Sequence, residues 1–253
     1  MSAATSQLPP RPPLIRHSVT ELGRVFLEMG SSALLQPLSR LLPRGDGHSV
    51  VVLPGFMASD AATAGLRRFL GERGYHALPW GLGRHGAGDR ARSLEASLAA
   101  RTDTEERVAA LVEGEYTRSG RKVTLIGWSL GGLVAVALAH RYPQWLRQVI
   151  TLGTPYGDPR GTALYRVMSG RNAAPVDEDA IERWIGHAYR GSLQVPVLAL
   201  YSRTDGIVGS DIALCRGDAR WVRNVAIPAS HIGFPFNPLV RAAIARELAA
   251  SPE

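Results

Sequence analysis

The chain has 253 residues, of which 45% are hydrophobic and 20% charged, and this suits one globular domain with a sizeable core. Its formal net charge is +7, but the arginines are scattered and Lys122 is the sole lysine, so the sequence does not favour nucleic acid as a partner. The single cysteine, Cys215, excludes an internal disulfide and a clustered-cysteine metal site.

No apolar run approaches the ~18 residues that a membrane-spanning helix requires. The start of the chain contains neither a basic region nor an apolar stretch typical of a secretory signal. We therefore expect no transmembrane span and a cytoplasmic location.

Residues 1–47 form a predicted N-terminal extension ahead of a main domain at 48–253. Prolines between positions 9 and 13 predict an extended opening. From 17 to 35 apolar residues recur at helical spacing and predict an amphipathic helix, which Pro37 ends or kinks. Its apolar stripe contains Leu22, Val25, Phe26, Met29 and Ala33. We expect this stripe to dock on the main domain; the alternatives are that it covers a functional site or makes peripheral contact with a membrane surface.

Beyond the extension, short β-rich runs alternate with helical stretches. The predicted strands lie at 49–53, 75–80, 122–126, 147–152, 195–201 and 221–227. The predicted helices lie at 60–73, 93–119, 130–141 and 238–250. The runs at 50–53 and 195–200 are almost wholly apolar, as strands are when helices cover both faces of a sheet. We predict an α/β fold with a mostly parallel central sheet, helices on both faces, and functional groups at the carboxyl ends of its strands.

The stretch at about 157–193 breaks this alternation, because it has no strand pattern. Three acids, Asp177, Glu178 and Asp179, suit the start of a helix whose apolar positions include Ile181 and Trp184. We predict a short helical cap insertion beside the carboxyl ends of the strands, with a plain surface excursion as the alternative.

The segment Gly127-Trp128-Ser129-Leu130-Gly131 matches the G-x-S-x-G pattern, which a chain with 27 glycines contains by chance about 0.2 times. The context favours a functional motif over a chance match, because an apolar strand precedes the segment and a helix rich in small residues follows it. A serine at the apex of such a turn has a strained backbone, so Gly127 and Gly131 supply the space that the turn requires. We predict that Ser129 is a nucleophile rather than the N-cap of an ordinary helix.

A serine nucleophile needs a base, and the base needs an orienting acid. Asp205 follows the predicted strand at 195–201, and His231 follows the predicted strand at 221–227. The order Ser129, Asp205, His231 is the one expected when a serine nucleophile lies on a strand–turn–helix. We predict these three residues as a catalytic triad.

Other acids and histidines compete for these roles. Asp205 is favoured as the acid, and Asp211 and Asp158 remain alternatives. Only His231 has the position of the base, although His85 and His187 could line the pocket.

An acyl-transfer site also needs hydrogen-bond donors for a developing oxyanion. The backbone N–H of Leu130, directly after the nucleophile, is one predicted donor. The second is expected from the loop after the first strand, where the N–H of Phe56 is favoured and that of Met57 is the alternative. No metal ligand set is predicted.

Two weaker patterns lie near the predicted site. Gly81 to Gly86 matches the dinucleotide pattern G-x-G-x-x-G, but it follows the second strand rather than the first, so we interpret it as a flexible loop near the mouth of the site. The segment Leu152-Gly153-Thr154-Pro155 ends a strand and turns sharply, and we expect it to form one wall.

Together these residues resemble the α/β-hydrolase superfamily, and within it bacterial lipases and esterases. The resemblance extends over about 49–250 and rests on the segments 51–56, 126–132, 151–155, 201–208 and 230–231. The third segment is similar to the L-G-T-P-H sequence of lipases, with Tyr156 in place of the histidine. The family implies the α/β-hydrolase fold and ester hydrolysis through an acyl-serine intermediate, without a metal or an organic cofactor.

The residues and the resemblance together predict a serine hydrolase that cleaves small-molecule or lipid-like carboxylic esters. The alternatives are an acyltransferase or a thioesterase that uses the same triad, and a non-catalytic binding protein of the same fold.

Overall fold

A six-stranded sheet forms the centre of the structure, a computed structural model that describes residues 10–86, 94–165 and 177–250. Its strands are β1 Ser49–Leu53, β2 His76–Pro79, β3 Val123–Trp128, β4 Leu146–Leu152, β5 Val197–Tyr201 and β6 Val222–Ala226. They lie in the order β2-β1-β3-β4-β5-β6, and every neighbouring pair is parallel. The predicted α/β fold with a parallel central sheet is confirmed.

Helices cover both faces of this sheet. The main helices in the described ranges are α1 Ile15–Leu35, α2 Asp60–Glu72, α3 Leu94–Ser119, α4 Leu130–Arg141, α5 Glu178–His187 and α6 Pro238–Ala250. Buried side chains of α3 and α4 form a core on one face, and those of α2 and α6 form a core on the other. None of the helices within these ranges is long and apolar enough to cross a membrane.

The strand β1 explains why the central strands are continuous apolar runs. All five of its residues are buried. Val51 and Leu53 face the core that contains α3 and α4, whereas Val50 and Val52 face the core that contains α2 and α6. Because successive side chains of a strand point to opposite faces, a strand between two helical layers needs an apolar residue at every position.

Most predicted bounds agree closely with the observed ones. The helices predicted at 130–141 and 238–250 coincide with α4 and α6, and the strand bounds differ by up to two residues. At the end of β2, the Asp60 carboxylate accepts the N–H groups of Trp80 at 3.0 Å and Gly81 at 3.2 Å, so these residues leave the sheet. Ser93, the predicted first residue of the third helix, lies outside the described residues.

The N-terminal helix α1 occurs close to where periodicity predicted it. It begins two positions before the predicted residue 17, ends at Leu35 as expected, and is followed by a 3-10 turn that contains Pro37. Of the predicted extended opening, the part before residue 10 lies outside the described residues.

The prediction that the apolar stripe of α1 docks on the main domain is wrong. Leu22, Phe26 and Met29 are 65%, 73% and 45% exposed, and Val25 is the buried member of the stripe. The helix docks instead through a polar face that includes the buried side chain of Glu21. Periodicity identifies an apolar face but not the surface it contacts, and buried carboxylates are tolerated when backbone N–H groups bind them.

The helix α5 begins where the three acids predicted a helix start. The Asp177 side chain accepts the N–H of Asp179 at 3.0 Å as an N-cap. The other end of α5 contacts α3, because His187 Nε2 lies 2.8 Å from Glu105 Oε2. Residues 166–176 lie outside the described part of the chain, and the cap insertion at 157–193 stays a prediction.

Candidate active site

Ser129 occupies the turn between β3 and α4. Its backbone torsions are φ 53° and ψ −119°, so a residue with a Cβ adopts a conformation that favours glycine. Such strain is common where a nucleophile is held at the apex of a strand-to-helix turn. Ser129 as a residue is partly exposed.

Glycines on both sides of Ser129 make this turn possible. A Cβ on Gly127 would lie 2.5 Å from the Gly131 carbonyl oxygen, and a Cβ on Gly131 would lie 2.7 Å from the Leu53 carbonyl oxygen. Both contacts are with backbone, which cannot rotate away as a flexible side chain can. The two glycines that the sequence singled out therefore stand where larger residues would force β1, β3 and α4 apart.

The side chains of Ser129, His231 and Asp205 form a hydrogen-bonded series. The Ser129 Oγ lies 3.0 Å from His231 Nε2, and His231 Nδ1 lies 2.7 Å from Asp205 Oδ2. Ser129 follows β3, Asp205 follows β5 and His231 follows β6, so all three lie at the carboxyl edge of the sheet. When Nδ1–H donates to Asp205, the lone pair of Nε2 faces the serine hydroxyl and can accept its proton.

Backbone donors fix the carboxylate of Asp205. Its Oδ1 accepts the N–H groups of Ile207 at 2.8 Å and Val208 at 2.7 Å, which leaves Oδ2 for the histidine. The loops after β5 and β6 are also joined, because the N–H of Ala229 donates to Ser202 Oγ at 3.3 Å. Asp205 and His231 therefore belong to two loops that are joined by a hydrogen bond.

The alternative acids and histidines lie elsewhere. Asp158 accepts hydrogen bonds from the backbone and the guanidinium of Arg160, both at 2.8 Å, and Asp211 is exposed. His187 is beside Glu105 at the end of α5. None of these side chains contacts His231 among the described residues.

The pKa of His231 is raised above its usual value. Burial of the ring lowers the pKa, but the charge of Asp205 and its hydrogen bond raise it, and the charge of Glu21 adds to the increase. The site thus stabilises the imidazolium form, which is the form that arises after the base takes a proton.

The N–H groups of Leu130 and Phe56 are the two that sequence reasoning favoured as oxyanion donors. Leu130 is the first residue of α4, so its N–H has no acceptor within the helix. Phe56 N–H has no acceptor in the part of the chain that the structure describes. The alternative, Met57, donates its N–H to the His85 carbonyl at 2.9 Å and has a φ of 59°. The observed bonds therefore favour Phe56 over Met57.

The glycine-rich segment 81–86 supports the loop that contains Phe56. His85 is buried, its Nδ1–H donates to the Pro54 carbonyl at 2.8 Å, and its N–H donates to the Ala58 carbonyl at 2.8 Å. Sequence reasoning placed His85 only as a possible pocket residue. This supporting role was missed, because a single histidine between glycines has no periodicity that indicates its partner.

Sequence reasoning also missed two acids of α1 that contact the loops containing Asp205 and His231. Glu21 accepts the N–H of Gly206 at 3.1 Å and the N–H of Ile232 at 2.8 Å. Glu28 accepts the N–H of Ser230 at 2.7 Å and its hydroxyl at 2.6 Å. The available signal was their spacing: seven residues apart, these acids share one face of a helix.

The segment Leu152-Gly153-Thr154-Pro155 lies against Ser129 and Asp205, as expected for a wall. Thr154 Oγ1 donates to the Ser129 carbonyl at 3.1 Å, and a Cβ on Gly153 would lie 3.2 Å from Asp205 Oδ2. Tyr156 is buried, with its hydroxyl 2.5 Å from Thr151 Oγ1.

A profile of the alpha/beta hydrolase family matches residues 50–251. The chain belongs to this family. By sequence comparison, no curated protein matches the chain.

Three solved structures illustrate the same fold, and two of them are lipases by name. TT1662 from Thermus thermophilus has a TM-score of 0.58 at 19% identity, over 83% of this chain and 92% of that chain. The Bacillus licheniformis lipase BlEst2 has a TM-score of 0.56 at 17% identity, over 81% and 94% of the two chains. The monoacylglycerol lipase of Paleococcus ferrophilus has a TM-score of 0.52 at 17% identity, over 83% and 97%. At these identities the likeness establishes the fold.

Proposed function

We propose that this alpha/beta hydrolase cleaves carboxylic esters, small or lipid-like, through an acyl-serine intermediate on Ser129. The observation that carries the proposal is the hydrogen-bonded series from Ser129 Oγ to His231 at 3.0 Å and from His231 to Asp205 at 2.7 Å. The lipases among the solved structures of the same fold support esters as the substrate class.

In the proposed acylation step, His231 Nε2 takes the Ser129 proton as Oγ attacks the ester carbonyl. Asp205 keeps Nδ1 protonated and stabilises the imidazolium that forms. The carbonyl oxygen gains negative charge, which the N–H groups of Phe56 and Leu130 bind. One such donor contributes about 3 kcal/mol to transition-state stabilisation in other serine hydrolases. The imidazolium then protonates the alcohol as it leaves.

Deacylation reverses these roles. His231 removes a proton from water, the resulting hydroxide attacks the acyl-serine, and the same two N–H groups bind the second oxyanion. Collapse of this intermediate returns the proton to Ser129 Oγ and releases the carboxylic acid. Every proton transfer therefore passes through the Nε2 atom of one histidine.

The test is Ser129→Ala in the full chain. We expect kcat for a p-nitrophenyl ester to fall by at least about 10⁴-fold, because the nucleophile is removed while the binding groups remain. A fluorophosphonate should label the wild-type protein at Ser129, as located by mass spectrometry.

Ser192→Ala is the matched control, since Ser192 is exposed on the loop before β5. It should keep wild-type turnover and labelling. Unchanged turnover in Ser129→Ala, or a wild-type protein that neither hydrolyses esters nor reacts with the fluorophosphonate, would refute the proposal.

A further inference from the structure

The side of α1 that points away from the main domain is apolar. Six of its side chains are each at least 65% exposed: Ile15, Val19, Leu22, Phe26, Leu27 and Leu34. We name these six residues the outer face. Single exposed apolar residues are ordinary, but a continuous set on one helix marks a surface that binds something.

The exposed charged side chains between residues 10 and 45 have one sign. The only acids between residues 10 and 45 are Glu21 and Glu28, and both carboxylates accept hydrogen bonds from loops of the main domain. Four arginines in this part of the chain are exposed to solvent: Arg16 lies within α1, Arg11 precedes it, and Arg40 and Arg44 follow it. A helix that presents apolar and basic side chains together fits an interface that is apolar inside and anionic at its surface.

We propose that the outer face docks the protein on the surface of an anionic lipid bilayer. The six apolar side chains would enter the boundary between headgroups and acyl chains, and the arginines would bind lipid phosphates. Guanidinium groups suit this contact because they form paired hydrogen bonds to phosphate oxygens.

A second copy of the chain is a weaker fit to the same face. A symmetric dimer through α1 would place the exposed arginines of residues 10–45 of both copies at one interface, where this part of the chain has no exposed acid to oppose them, and like charges at an interface weaken association. Anionic lipid removes this repulsion.

The position of α1 would bring a docked bilayer close to the candidate active site. Glu21 and Glu28 bind the loops that follow β5 and β6, so α1 lies at the same edge of the sheet as Ser129. A bilayer on the outer face would lie beside that edge. Binding of the outer face to a bilayer does not depend on the proposed ester hydrolysis, so an experiment can refute one proposal without refuting the other.

The experiment is co-sedimentation of the full chain with vesicles. Wild-type protein should bind vesicles that contain phosphatidylglycerol more tightly than vesicles of phosphatidylcholine alone, and added salt should weaken the binding. The variant Leu22→Ser with Phe26→Ser should bind at least about tenfold more weakly, because two apolar side chains no longer enter the interface. Arg16→Gln should weaken binding to anionic vesicles by about fivefold.

Leu214→Ser is the matched control, because Leu214 is an exposed leucine that does not belong to the outer face. It should bind vesicles as the wild type does, and thermal unfolding should show that all variants are folded. Equal binding to neutral and anionic vesicles, no binding to either, or unchanged binding by the double variant would overturn the proposal. So would a lipid-free dimer that the double variant dissociates, since the outer face would then belong to a second copy.

Discussion

Two carboxylates lie near His231, and they differ in what they bind. Asp205 accepts the hydrogen bond of the imidazole itself. Glu21 accepts the N–H groups of Gly206 and Ile232, which directly follow the acid and the base in the chain. Burial raises the pKa of Glu21, and the charge of Asp205 raises it further, while the bond from Ile232 opposes this. A carboxylate from α1 thus joins the loops that contain Asp205 and His231 and adds negative charge near the histidine.

We predict that Glu21→Gln moves the acid limb of the kcat/KM profile to lower pH. The proposed base acts as neutral imidazole, so this limb follows the pKa of His231, which the charges of Asp205 and Glu21 both raise. Removing one negative charge makes the imidazolium less stable and lowers that pKa. The glutamine can also leave one backbone N–H unpaired, at a cost of about 1–3 kcal/mol in unfolding free energy. NMR titration of the His231 ring checks the pKa without any need for activity.

Glu28→Gln is the matched control for this prediction. It alters an acid on the same face of α1 that also accepts a backbone N–H, but Asp205 and Glu21 are the acids that raise the pKa of His231. The midpoint of the acid limb should therefore stay at its wild-type value. Equal shifts in both variants would show that Glu21 acts by holding α1 in place and not by its charge near the histidine.

At the scale of elements, the turn between β3 and α4 depends on how closely α4 approaches β1. The Leu53 and Pro54 carbonyl oxygens would each lie 2.7 Å from a Cβ on Gly131. The same loop continues to Phe56, so a displacement here also moves a proposed oxyanion donor. A glycine at residue 131 therefore serves both the close packing of α4 on β1 and the position of the proposed oxyanion donor.

We predict that Gly131→Ala both destabilises the protein and lowers turnover. The added methyl group must displace backbone at the end of β1, which costs about 1–3 kcal/mol or more in unfolding free energy. A shift of the loop that contains Phe56 should reduce kcat more than it raises KM, because oxyanion binding strengthens in the transition state. Urea unfolding and steady-state kinetics measure the two effects.

Gly114→Ala provides the comparison within a helix. A Cβ at Gly114 in α3 would have no neighbouring atom within 4 Å. Alanine should therefore stabilise the protein by about 1 kcal/mol through helix propensity and leave the kinetics unchanged. If Gly131→Ala behaved in the same way, the close contact with β1 would not matter for the turn.

For the whole molecule, the sequence predicted the parts whose signals are local. The apolar run in β1, the glycines around Ser129 and the order of Asp205 and His231 each follow from a strand, a turn or chain order. The surface that α1 packs against could not be predicted in this way. Glu21 is 185 positions from Gly206 and 211 from Ile232, and no periodicity connects residues so far apart.

The same contacts imply that stability is unevenly distributed. The central strands β1 and β3 are fully buried between two helical layers. In the helix α1, Val25 is the one buried apolar side chain, and Glu21 and Glu28 bind the loops after β5 and β6 by hydrogen bonds. Since local opening costs least where few apolar contacts are lost, α1 should open without the sheet, and its opening should release the N–H groups that Glu21 and Glu28 hold.

We therefore predict that native-state hydrogen exchange separates two units. Amides of α1 and those of Gly206, Ser230 and Ile232 should exchange together, at least about 100-fold faster than amides of β1 and β3, because only the strands require global unfolding. Glu28→Gln should speed amide exchange in α1 and at Gly206, Ser230 and Ile232. Exchange in β1 and β3 should change only as much as the free energy of global unfolding changes. If the amides at 206, 230 and 232 were instead protected as strongly as β3, α1 would be an integral part of the main domain and not a separately opening extension.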